Sequence, residues 1–195
     1  MQRNIEIFNK MIATALNIAV RQVENTLSLL NGGATIPFIS RYRKEATGGL
    51  DEVQIGEIKE RYDKLTEIAK RKETILKTID EQGKLTTNLK KRIEACWDST
   101  ELEDIYLPYK PKRKTRAEVA RQKGLEPLAT ILMMQRENNL MARGRSFIKG
   151  EVKDEEDALK GARDIIAEQV SEDERSRIQV RYQLSRHAII SSKVV

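Results

Sequence analysis

Apolar residues recur three and four positions apart along most of the chain, a spacing that predicts helices and no strand. Ile5, Phe8, Met11, Ile12 and Leu16 form a first set; Val20, Val23, Leu27 and Leu30 form a second, after a break near Asn17. Two helices joined by a short turn account for both. Asn31-Gly32-Gly33 should stop the second helix, and Pro37 suits a first helical turn, so residues 37–44 read as a short helix. The longest pattern begins after Gly48-Gly49, with Asp51 as N-cap, and runs over residues 51–82. Its stripe is Ile55, Ile58, Tyr62, Leu65, Ala69, Lys72, Leu76 and Ile79, with Lys72 the only polar member. At 1.5 Å per residue the rod is about 48 Å long.

Gly83-Lys84 turns the chain, and Leu85, Leu89, Ile93 and Cys96 mark a shorter helix that folds back antiparallel. It reaches only the C-terminal half of the rod. The N-terminal half, around Ile55, Ile58 and Tyr62, is therefore expected to be covered by the terminal helices or by a second chain. Ser99 starts another short helix ending before Pro108, and residues 108–114 should be extended, with two prolines among adjacent like charges. Thr115-Arg-Ala-Glu118 has capping-box spacing and opens a helix that ends at Gly124; Pro127 opens the next, carrying Leu128, Ile131 and Leu132. A poorly patterned stretch follows. The acids of Asp154-Glu-Glu-Asp157 and Ser171-Glu-Asp-Glu174 then mark the first turns of two terminal helices. The expected architecture is all-α: a helix-turn-helix-like part over residues 1–50, the long helix and its fold-back over 51–97, and a basic segment with C-terminal helices over 98–195.

Composition sharpens this. Of 195 residues 34% are charged and only 5% aromatic, which suits helices with wet outer faces and argues against a β-sandwich. A single cysteine, Cys96, excludes an internal disulfide, and beside Trp97 it reads as packed rather than reactive. No apolar run is long enough to span a membrane and no secretory leader is recognisable, so a cytoplasmic location is expected. The net charge of +6 permits an anionic partner, and its distribution says more than its size. Lys110, Lys112, Arg113, Lys114, Arg116 and Arg121 stand against one acid, Glu118.

Catalytic chemistry is poorly supplied. His187 is the only histidine, so no two-histidine metal site exists; neither Gly-Gly pair continues into a phosphate-binding loop. Acid pairs such as Glu103-Asp104 read as capping and solvated groups. The chain is expected to be no enzyme, with no cofactor and no metal. Two basic constellations remain. Tyr109 and the six cations of the 110–121 segment fit weak, sequence-independent contact with RNA or DNA, or else pair acidic helix ends within the protein. Arg41-Tyr42-Arg43-Lys44 is a secondary candidate, phosphates on the cations and a base on Tyr42. There an internal role is favoured, because Ile36, Phe38 and Ile39 just before it call for burial. The helix pair over 20–44 also has helix-turn-helix order, a weak pattern in any all-helical chain.

Two long blocks carry a family resemblance. Gly32-Gly-Ala-Thr-Ile-Pro-Phe-Ile-Ser-Arg-Tyr-Arg-Lys-Glu-Ala-Thr-Gly-Gly-Leu-Asp-Glu52 resembles the N-terminal signature of the bacterial Tex family of transcription accessory proteins. Glu103-Asp-Ile-Tyr-Leu-Pro-Tyr-Lys-Pro-Lys-Arg-Lys-Thr-Arg-Ala117, continuing through Gly124-Leu-Glu-Pro127-Leu-Ala129, resembles that family's second block, and Leu85-Thr-Thr lies between the two as expected. The resemblance covers essentially the whole chain. It implies a helical N-terminal region without the ribonuclease-H-like, helix-hairpin-helix and OB-fold domains of longer members, most RNA binding belonging to the OB-fold. The expected role is a non-enzymatic module that scaffolds the protein core and adds a nucleic-acid contact. Its partners would be RNA or DNA, the remainder of the Tex-like protein and the transcription machinery, with no membrane. The alternative is a purely structural or protein-docking module.

Overall fold

The computed structural model describes residues 2–111 and 114–193. Among them are α-helices and no strand, divided between two compact units, Met1–Ser99 and Thr100–Val195.

The first unit is organised around its longest helix. α1 (Gln2–Leu16) and α2 (Val20–Asn31) meet at a turn where Asn17 takes a left-handed conformation, φ 52°. α3 (Ile36–Tyr42) is capped by Thr35, whose hydroxyl accepts from the Phe38 N–H, and a break at Arg43 separates it from the one-turn α4 (Lys44–Thr47). α5 (Glu52–Glu81) starts with a capping box: Asp51 accepts from the Gln54 N–H at 2.8 Å and the Gln54 side chain accepts from the Asp51 N–H at 3.1 Å. Ile55, Ile58, Leu65, Ile75 and Ile79 form its buried face, and Lys72 is buried with them. α6 (Thr87–Ala95) folds back on α5 and buries Leu89 and Ile93.

The N-terminal half of α5 corrects one expectation. It is covered by α1, α2 and α3, not by terminal helices or a second chain: Phe8, Ile12, Val23, Leu27 and Ile39 share one core with Ile55, Ile58 and Leu65. Each of the three short helices buries only one stripe, and the long rod supplies the surface against which all three stripes are lost from water. Phe8 sets its ring edge-on to Tyr62 and Trp97, with centroids 6.0 and 5.2 Å away.

In the second unit, α7 (Ser99–Tyr106) leads into a 3₁₀ turn over Leu107–Tyr109, so the segment expected to be extended from residue 108 begins with a turn, closed by the Lys110 N–H on the Leu107 carbonyl. α8 (Arg116–Gln122), α9 (Glu126–Met133) and α10 (Leu140–Arg145) all pack on α11 (Glu155–Glu172). The core is small-residue-rich: Ala117, Ala120, Ala129, Ala158 and Ala162 alternate with Leu125, Leu128 and Ile165. α12 (Glu174–His187) buries no side chain of its own. It is held by charge, because Arg177 donates to Asp104 at 2.6 Å and Arg181 donates to the other carboxylate oxygen. Asp104 is 2% exposed, which corrects its reading as a solvated acid.

Candidate nucleic-acid interface

The corner between α3 and α4 is built from α2. The Gln22 amide donates to the carbonyls of Thr47 (2.9 Å) and Gly48 (3.2 Å), and the Asn25 amide donates to Ala46 at 2.7 Å. These carbonyls end a one-turn helix and have no further turn to accept from. Gly48 is left-handed, φ 68°, and a Cβ there would sit 2.7 Å from the Gln22 amide nitrogen, so glycine is needed both for conformation and for the bond. Below the corner, Ile39 is fully buried and fixes α3 to α5.

With Ile39 and Ser40 facing inward, the opposite side of α3 faces water. Arg41, Tyr42, Arg43 and Lys44 are all exposed, as is Phe38 at 40%. The internal role favoured for this stretch is thus overturned: Ile39, with Ile36 half-buried beside it, carries the burial that Phe38 was expected to share. Tyr42 and Phe38 lie one turn apart with ring centroids 5.4 Å apart, and the Arg43 guanidinium stands 5.2 Å over the Phe38 ring. Phe38 is the residue that sequence reasoning missed as a surface group. Its i, i+4 spacing to Tyr42 was the available signal, hidden by the habit of assigning phenylalanine to the core.

The other basic segment is divided. Lys112 and Arg113 lie outside the described residues. Lys110, Lys114 and Arg116 are exposed and Tyr109 is half-buried. Arg121 is engaged internally: it donates to Glu168 at 2.7 Å, with Glu118 and Glu126 each at 3.7 Å. Thr115, which caps α8 by accepting from the Glu118 N–H, also donates to Glu168 at 2.9 Å. Arg121 is thus a contact between α8 and α11, and of the described cations in this segment Lys110, Lys114 and Arg116 are exposed.

A third cation is buried. Lys72 donates to the Glu94 carbonyl at 2.8 Å, near the C-terminal end of α6, and its ammonium stands 3.2 Å from the Trp97 ring centroid. Both contacts favour the charged form, yet burial dominates and pushes the amine down to about 8. Cys96 is buried and its thiol donates to the Asp98 carbonyl at 3.3 Å; His187 is exposed in the last turn of α12. Among the described residues no three His, Cys, Asp or Glu side chains cluster as metal ligands, and no helix is long and apolar enough to cross a membrane.

Residues 6–80 match the model of the Tex-like protein N-terminal domain, and residues 135–195 match that of the Tex central region-like family. The chain is 42% identical over 186 residues to the transcriptional accessory protein Tex of Neisseria gonorrhoeae, covering 95% of this chain and 25% of that protein. It is 41% identical to the protein tex of Bordetella pertussis, over 94% of this chain and 24% of the relative. The human S1 RNA-binding domain-containing protein 1 is 31% identical over 95% of this chain and 19% of its own length. The chain thus spans about a quarter or less of the curated relatives it matches.

Proposed function

The chain belongs to the Tex family, and from that premise we propose that its two helical units form a non-enzymatic module of a transcription accessory factor, scaffolding the rest of such a protein and adding a sequence-independent contact to RNA or DNA. The observation that carries the contact is the outward set Lys110, Lys114 and Arg116, Lys110 just after the 3₁₀ turn and Arg116 at the first residue of α8. The internal pairing of Arg121 with Glu168 ties α8 to α11, which supports the exposed Arg116 at its start. An RNA-binding domain named in the human relative makes RNA the polyanion to test first. Lys and Arg on a turn, with no helix laid in a groove, reach phosphates rather than base edges, which accounts for the expected indifference to sequence.

Anisotropy titrations at several salt concentrations test this. With these three cations neutralising phosphates, log affinity should fall with log salt at a slope of about −2.1 to −2.7. Replacing Lys110, Lys114 and Arg116 with Gln should flatten that slope by about 2 to 3. A flat salt dependence would move the reading to protein docking. That second reading has its own support in α12, which exposes Ile178, Val180, Tyr182 and Leu184 and buries none of them.

A further inference from the structure

The α3–α4 corner holds two exposed rings whose burial the fold does not use. Tyr42 is 66% exposed and Phe38 40%, on a helix anchored from its other side by Ile39 and held at its C-terminal end by Gln22 and Asn25. Leaving two aromatic rings in water forgoes the stabilisation their burial would bring, and the pair, held in a fixed orientation, offers a flat apolar face to a ligand. Its surroundings select the partner. Arg41, Arg43 and Lys44 flank the rings and Glu45 is the only acid over residues 35–50. An apolar protein helix would meet three cations here; a polyanion with flat rings would meet both halves of the site favourably.

We propose that Phe38 and Tyr42 form a stacking platform for one base of a single-stranded nucleic acid, with Arg41, Arg43 and Lys44 on the flanking phosphates. Tyr42 is the outer ring and offers its free face. Phe38 backs it from 5.4 Å, and Arg43, over the Phe38 ring and bonded through its guanidinium to the Tyr42 carbonyl at 3.1 Å, keeps the pair oriented. A duplex hides its base faces and so presents nothing for the platform to stack; a single strand presents every base, whatever its identity. The platform belongs to the first unit and takes from the reading above only the class of partner.

The test is anisotropy binding of the 195-residue chain to a labelled oligouridine of about 20 nucleotides and to a duplex DNA of similar length. Tyr42→Ala should weaken oligouridine binding about 5- to 150-fold and leave duplex binding unchanged, while Tyr42→Phe keeps both. Arg41→Gln with Arg43→Gln should flatten the oligouridine salt slope by about 1.4. Because these side chains are exposed, thermal unfolding of the variants should match that of the parent, which separates a lost contact from a lost fold. Unchanged oligouridine binding by Tyr42→Ala overturns the platform, as does an equal loss for strand and duplex, or no binding of the parent to either at low salt. The Lys110/Lys114/Arg116→Gln variant keeps the two readings apart. Loss there with none in Tyr42→Ala leaves the basic segment standing alone, and loss in Tyr42→Ala with none there leaves the platform standing alone.

Discussion

Lys72 and Asp104 are the two buried charges of opposite sign, and the chain handles them differently. Lys72 meets a ring and one carbonyl with no carboxylate bonded to it, and the nearby Cys96 and Glu94 offset burial only in part, so burial wins and its amine is lowered to about 8. The unfolded chain then holds more protons than the folded one between about pH 8 and 10.5, and stability should rise with pH across that window. Solvent near the ammonium limits the effect to on the order of 1–2 kcal/mol. Lys72→Met should remove the rise and leave stability at pH 7 equal or about 1 kcal/mol higher, since a hydrophobe of similar volume replaces a charge that burial disfavours. Denaturant midpoints of both proteins at pH 7, 8.5 and 10 check this; a parallel rise in the variant would sink it. For Asp104, burial would raise the carboxyl, but hydrogen bonds from Arg181 and Arg177 prevail and hold it below the ordinary 3.8. Its contribution is complete above about pH 4 and is lost as pH falls through the lowered value. Asp104→Asn should therefore cost about 1–3 kcal/mol at pH 7 and shrink the acid-side loss of helix seen by circular dichroism.

At the scale of elements, each unit is several short helices leaning on one long one, and substitutions on the long helix read out the packing. Ile58 is fully buried beneath α1, α2 and α3, so Ile58→Ala should cost about 2–5 kcal/mol in a denaturant titration. Two helical glycines give opposite expectations. A Cβ at Gly56 in α5 meets nothing within 4 Å, and Gly56→Ala should gain about 0.5–1 kcal/mol. A Cβ at Gly161 in α11 would sit 2.5 Å from a Leu125 methyl and 3.2 Å from the Ala120 Cβ. There the strain of overpacking, about 1–3 kcal/mol, outweighs the better helix propensity, and Gly161→Ala should lower the melting temperature. The helices announced by an apolar stripe (α1, α2, α5, α6) or by a capping box before a Gly stop (α8) were legible in the sequence because local pattern and final packing agree. α10 was not. Leu140 and Met141 are exposed, and of its residues only Gly144 is buried, 3.0 Å separating a Cβ there from the Glu155 carbonyl. That helix is made by a close backbone approach and an Asn139 cap, neither of which leaves a hydrophobic period. The covering of α5 was illegible for a related reason: periodicity marks which face is buried and is silent about which helix buries it.

For the molecule as a whole, charge was legible as a quantity and misleading as a map. The 110–121 cluster holds the larger number of cations, yet Arg121 is turned onto Glu168 inside the second unit. Meanwhile the shorter Arg41-Tyr42-Arg43-Lys44 stretch, expected inside, lies on the surface. Counting cations along a sequence cannot separate those that find a carboxylate across the fold from those that do not; Glu168 lies far along the chain from Arg121. The apolar surface shows the same limit. α12 has Ile178, Val180, Tyr182 and Leu184 on more than one side of its axis, all at least 45% exposed, and among its contacts are the Asp104 pairs and a bond from Arg177 to the Ser171 carbonyl at 3.2 Å. These four stand among Arg175, Arg177, Arg181 and Arg186, so α12 is a polar helix carrying apolar side chains that the docking reading would cover. In the 195-residue chain these side chains have no core to lose, so Ile178→Glu with Leu184→Glu should change unfolding free energy by less than about 0.5 kcal/mol. In a chain of the relatives' full length, the docking reading expects the same pair to bury two carboxylates against apolar surface and to lower the melting temperature by several degrees. Equal neutrality in both chains would show that α12 stays in water, and would leave the exposed cations of the two units as the module's contact surfaces.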